Sequence, residues 1–130
     1  MSDNFQKVKG YITELGFDIS KEDVADELVV IDDESKGIKN LIIDCESPIL
    51  IIEQFILKLK RDDKEIFKSL LQMNRNVVHG AFVLDEEGTG VLFRDTLQLD
   101  SLDLNELEGS INSLSLALVE NTNALIEFSK

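Results

Sequence analysis

A chain of 130 residues has room for one hydrophobic core, and 43% hydrophobic with 30% charged residues is the balance of a folded domain rather than of a disordered one. Its 26 acidic against 13 basic side chains leave a net charge of −13, which removes the electrostatic footprint that nucleic acid or anionic lipid would need. The single Cys45 excludes an internal disulfide and a multi-cysteine zinc site.

The one basic cluster, Lys58-Leu59-Lys60-Arg61, is followed at once by Asp62 and Asp63 and is too short to guide a polyanion. The polar start Met1-Ser2-Asp3-Asn4 has no apolar run behind it, so no secretory signal is expected. The longest apolar stretch, Ile49 to Leu59, is interrupted by Glu53, Gln54 and Lys58, well short of a membrane span. These features together predict one cytoplasmic domain over residues 1–130. The acidic surface keeps such a domain soluble and attracts basic partners.

In chain order, Phe5, Val8, Ile12 and Leu15 recur at helical spacing and predict an amphipathic helix over Asp3 to Leu15, capped by Ser2 or Asp3 and stopped at Gly16. Asp18 to Asp26 reads as a polar connector, with at most a helical turn at Ser20-Lys21-Glu22-Asp23. Three strands follow: Leu28 to Ile31, Ile38 to Cys45, and Ile49 to about Leu57. The intervening Asp32–Gly37 and Glu46-Ser47-Pro48 are short links, so the strands form an antiparallel meander. The run Ile49-Leu50-Ile51-Ile52 is apolar on both faces of its strand. Something must cover its outer face, either a helix of the same chain or a partner.

Asp62 to Met73 is a second predicted helix, with Asp62 and Glu65 in capping-box spacing and a broad apolar arc of Ile66, Phe67, Leu70, Leu71 and Met73. A hairpin is predicted from Gly80 to Asp85 and Val91 to Leu99 around Glu86-Glu87-Gly88-Thr89-Gly90, with Asp95 the odd polar member of its buried face. The final helix starts at a capping box of Asp103 and Glu106 and carries Leu104, Leu107, Ile111, Leu114, Leu118 and Leu125, its seam interrupted at Asn121. The expected fold is α+β, a twisted antiparallel sheet with helices in the order α-β-β-β-α-β-β-α.

Residues that could carry chemistry are sparse. His79 is the only histidine, so no metal pair or proton relay can form around it, and a structural hydrogen-bonding role is expected. Cys45 sits between Asp44 and Glu46, whose charges oppose thiolate formation; it reads as a buried structural residue. Asp85-Glu86-Glu87-Gly88-Thr89-Gly90 lacks both the alternation of a calcium loop and the lysine of a phosphate loop, and reads as a hairpin turn. No nucleophile–base set is present, so no catalytic site, cofactor or metal is expected. The surplus apolar positions instead suggest a second subunit, with Phe67, Leu70 and Leu71 the candidates for a dimer interface.

Three segments converge on a family. Leu70-Leu71-Gln72-Met73-Asn74, Gly80-Ala81-Phe82-Val83-Leu84-Asp85 and Arg94-Asp95-Thr96-Leu97-Gln98-Leu99-Asp100, in this order, resemble the type III secretion chaperone-like family, including its Tir-chaperone and YbjN-type domains. Gly37-Ile38-Lys39-Asn40-Leu41-Ile42-Ile43-Asp44-Cys45-Glu46, followed by Pro48-Ile49-Leu50, is similar to YbjN-type proteins. The resemblance spans most of the chain. It implies the element order given above and a homodimer that uses the second helix. It also implies a non-catalytic module that holds an extended segment of a client polypeptide, without ATP or metal. An extended chain can bind such a protein by adding to a sheet edge and dropping side chains into pockets. A regulatory or assembly domain that docks a folded partner on its acidic surface is the alternative reading.

Overall fold

In the computed structural model, which describes residues 2–130, six antiparallel strands form one sheet in the order β1-β2-β3-β4-β6-β5. The strands are Asp18–Asp23 (β1), Leu28–Asp33 (β2), Ile38–Glu46 (β3), Ile49–Lys58 (β4), Ala81–Leu84 (β5) and Gly90–Gln98 (β6). The helices are Asp3–Glu14 (α1), Lys64–Asn74 (α2), Leu104–Glu120 (α3) and Thr122–Phe128 (α4). The expected α+β order is present, with one strand added in front and the last helix broken in two.

The added strand corrects the reading of Asp18 to Asp26 as a connector. Asp18-Ile19-Ser20-Lys21-Glu22-Asp23 has one apolar residue and therefore no alternation to detect. Its strand structure comes from pairing with β2, from Asp18 opposite Asp32 to Asp23 opposite Leu28, with a bulge between Ile19 and Lys21. An edge strand of this kind needs charge and irregularity to discourage further pairing, and both are present. Lys9 of α1 reaches Glu22 at 3.2 Å and ties the strand to the helix beside it.

Alternation along each strand sends one set of side chains into the core. Val29 and Ile31 of β2, Leu41 and Ile43 of β3, Leu50 and Ile52 of β4, and Val91 and Phe93 of β6 are buried there. Phe5, Val8 and Ile12 of α1 and Leu107, Ile111 and Leu114 of α3 complete the same cluster. The expected stripe of α1 is thus borne out: Ser2 Oγ accepts the Phe5 N–H, and the helix stops before Gly16, whose φ of 87° ends it. Asp95, the polar member of the inward face, accepts a 2.8 Å hydrogen bond from Ser110 of α3. Buried Gln54 accepts from Lys39 N–H and donates to Gly37 C=O, which anchors the turn before β3.

Two helix boundaries differ from expectation. The cap of α2 is Asp63, whose carboxylate accepts the Glu65 N–H, so Asp62 lies outside the helix. The apolar seam of the last helix continues past Asn121, but the backbone does not. Asn121 takes φ −117° and ψ 14°, its side-chain amide donates to Ala117 C=O, and Thr122 donates to Leu118 C=O. Side chains that bond back to the preceding turn in this way compete with the helical ladder. Leu125 and Phe128 still reach the core from α4.

Helix α2 lies along the outer edge of β5. Asn74 accepts the Phe82 N–H at 2.7 Å and donates to the Phe82 C=O at 3.1 Å, replacing the strand that would otherwise pair there. Just upstream, Gly80 has a φ of 86°, and a Cβ at this position would lie 2.7 Å from the Phe93 ring. Asn74→Ala should lower unfolding free energy by about 1–3 kcal/mol, because it strands two part-buried backbone groups. Gly80→Ala should cost about 2–4 kcal/mol through backbone strain and overpacking. Urea denaturation followed by circular dichroism measures both.

Candidate partner-binding surfaces

Helices fill one side of the sheet only. Side chains directly opposite one another across paired strands point the same way, so the other face can be read row by row. Leu28, Asp44, Ile51 and Thr96 form one row across β2, β3, β4 and β6. Val30, Ile42, Glu53, Arg94 and Ala81 form the next. Phe55, Leu92 and Val83 form a third. None of these side chains is fully buried, and Phe55 is 57% exposed. The face is aliphatic at its centre, with polar groups interspersed.

The outer side of Ile49-Leu50-Ile51-Ile52, expected to lie under a helix or a partner, carries no helix of this chain. Leu50 and Ile52 enter the core, while Ile49 and Ile51 lie half-buried on the helix-free face. In the residue pattern β4 is apolar on both sides. Val30, Ile42 and Leu92 belong to the same surface, and only the strand register reveals that they do.

Asp44 stands within this face between Leu28 and Ile51. Its Oδ1 is shielded from water and has no hydrogen-bond partner. Burial, then the Glu46 carboxylate, by its charge and by a hydrogen bond that favours the protonated form, then Asp26 and Glu53, push its pKa up to about 6. Each cause disfavours a negative charge that no cation of the chain offsets. The basic residue across the sheet, Arg94, is already engaged 3.3 Å from Glu53.

A second apolar surface lies where α2 meets β5. Phe67, Leu70 and Leu71 line a groove with Phe82, Val83 and Leu84. The three residues expected at a dimer interface therefore come together, in different states. Leu70 is buried and forms the floor, Phe67 is half-buried, and Leu71 is 72% exposed. Farther along, Val78, Leu116 and Val119 are also exposed.

The residues considered for chemistry have structural roles. The His79 backbone exchanges two hydrogen bonds with the Ser113 hydroxyl, at 3.0 and 2.7 Å. Cys45 is buried, and burial together with Glu27, Asp44 and Glu46 pushes its thiol up to about 11, far from a reactive thiolate. Asp85 closes the hairpin turn by accepting the Thr89 N–H. Among the described residues, no group of three or more His, Cys, Asp or Glu side chains is placed to hold a metal ion. No described helix is long and apolar enough to cross a membrane.

Solved structures share this arrangement. YbjN from E. coli, described as a putative transcription regulator, superposes with a TM-score of 0.72 over 92% of each chain at 11% identity. A chain of the HopA1–SchA chaperone–effector complex gives 0.61 over 86% of this chain and 88% of its own, at 12% identity. The Yersinia pestis type III secretion chaperone SycH, solved with a stable fragment of YscM2, gives 0.54 over 97% and 99%, also at 12% identity. At these identities the likeness is one of fold. None of the curated proteins matches the sequence. The family profile described as CesT_Tir_1, however, matches residues 1–130 in full. The chain belongs to the CesT_Tir_1 family and has the secretion-chaperone-like fold.

Proposed function

We propose that this protein is a non-catalytic, chaperone-like module that holds an extended segment of a partner polypeptide. The observation that carries this reading is the helix-free sheet face, an aliphatic surface wide enough to span four strands and left open by its own chain. Half-exposed aliphatic side chains left uncovered by the chain's own helices, with polar groups among them, are the kind of surface that binding sites use. SchA and SycH, whose folds this chain shares, are described in complexes with an effector and with a partner fragment. They support a polypeptide as the ligand class.

The same reading includes a homodimer formed through α2. The groove of Phe67, Leu70 and Leu71 against β5 presents one exposed leucine beside a shallow apolar floor, a shape that a two-fold copy of itself can fill. Replacing Phe67 and Leu71 together with Glu should weaken self-association at least about a hundredfold, as losing two central apolar anchors does. Sedimentation should then show a soluble, folded monomer; a double variant that remains dimeric rejects α2 as the interface.

The net charge of −13 motivates the alternative, a regulatory domain that docks a folded basic partner on its surface charge. Salt separates the two. Apolar capture of an unfolded segment should persist at about 1 M salt, where the Debye length is near 3 Å, whereas charge docking should be largely lost. Fluorescence anisotropy of a labelled, chemically unfolded polypeptide across a salt series gives the answer.

A further inference from the structure

A polypeptide held by this protein needs a seat on its surface and side chains that match that seat. Asp44 marks such a seat. It is a carboxylate within an aliphatic field, flanked across the ladder by Leu28 and Ile51, with one oxygen shut off from water and bonded to nothing. A buried acceptor left unpaired costs free energy that a fitted donor recovers. The groups that bear on it, Glu46 along its own strand, Asp26 at the turn before β2 and Glu53 on β4, are all acidic. Arg94 on β6 is committed to Glu53. A cationic donor would meet both the unpaired oxygen and the crowding of carboxylates at this point.

Resting on that reading, we infer that the helix-free sheet face seats a partner segment that places a Lys or Arg side chain against Asp44, between aliphatic side chains that pack on Leu28, Ile42 and Ile51. The cation would relieve the crowding of carboxylates, and the net charge of −13 would draw such a segment in. A second copy of the chain suits the face poorly. A two-fold axis through its centre would set Asp44 and its acidic neighbours against their own images, with the like charges opposed in the desolvated middle. The ion pair would form in a partly desolvated setting where screening is weak, so it adds specificity to a contact whose bulk is apolar.

A randomised peptide library displayed on phage and selected on the full chain provides the probe. Selected peptides should be enriched in Lys or Arg flanked by aliphatic residues. The tightest of them, made synthetically and labelled, should bind Asp44→Asn at least tenfold more weakly than the parent protein. It should also bind Ile51→Ser more weakly. Because Asp44 must be ionised to pair, affinity for the parent should fall about tenfold between pH 7.5 and pH 5, while Asp44→Asn should show no such change.

The Asn variant has its own folding control. In the parent, the folded chain keeps the Asp44 proton to about pH 6, against an ordinary value of 3.8. Stability contributed by this group thus declines as pH rises through that window, and Asp44→Asn should remove the decline without loss of fold. Peptides that bind well but ignore Asp44→Asn and Ile51→Ser, or that show no excess of cations, overturn this site and leave the wider polypeptide-binding role standing. Failure to select any peptide overturns both. A shift of Ile51→Ser from dimer to monomer would assign the face to a second copy and likewise overturn the inference.

Discussion

The pleat of a β-strand allows one parity of side chains to be buried by one layer of helices, and no more. In this sheet α1 and α3 bury most of one parity, and Phe5, Val8, Ile12, Leu107, Ile111 and Leu114 belong to the same core. The opposite parity still carries Leu28, Val30, Ile42, Ile51, Phe55 and Leu92. A domain of this size has only a few helices to spend, and α2 lies along an edge rather than over the second face. The open aliphatic surface follows from that placement, and the proposed partner-binding role follows from the surface.

The polar residues of the protein are arranged to hold this geometry. Ser110 satisfies Asp95 under α3, Ser113 fixes the approach to β5 through the His79 backbone, and Gln54 secures the turn into β3. Each places a hydrogen-bonding group where a buried donor or acceptor would otherwise be left alone. Asp44 is the exception, since its Oδ1 has no such partner and the residues around it aggravate its charge. Its position on the open face, rather than in the core, leaves that oxygen within reach of the proposed partner segment.

The strongly patterned elements were legible from the residues alone. Helix α1, the meander of β2, β3 and β4, the β5–β6 hairpin and the start of α3 all announce themselves by period, cap or turn residues, and their order suffices for the family resemblance. Strand β1 was not legible, because Asp18-Ile19-Ser20-Lys21-Glu22-Asp23 is strand only by virtue of the neighbour it pairs with. The break at Asn121 was visible as a flaw in the seam, though its backbone consequence was not. For the candidate surfaces, composition revealed that apolar residues were in excess and pointed to α2. Which of them share a face depends on register between strands distant in sequence, such as Ile42 opposite Glu53 and Glu53 opposite Arg94. No local pattern contains that information.

The two ends of the sheet are closed by different means, and the difference governs how copies could stack. At β5, a four-residue strand, Asn74 occupies both backbone groups of Phe82, so an incoming ribbon would have to displace a side chain that already does the pairing. At β1 the backbone is free, though bulged and charged. Head-to-tail growth needs two receptive rims on every molecule, and here one rim is occupied at Phe82. A rim-to-rim encounter through β1 would end at a pair. In a protein with a partly apolar sheet face, that occupied rim disfavours edge-to-edge growth.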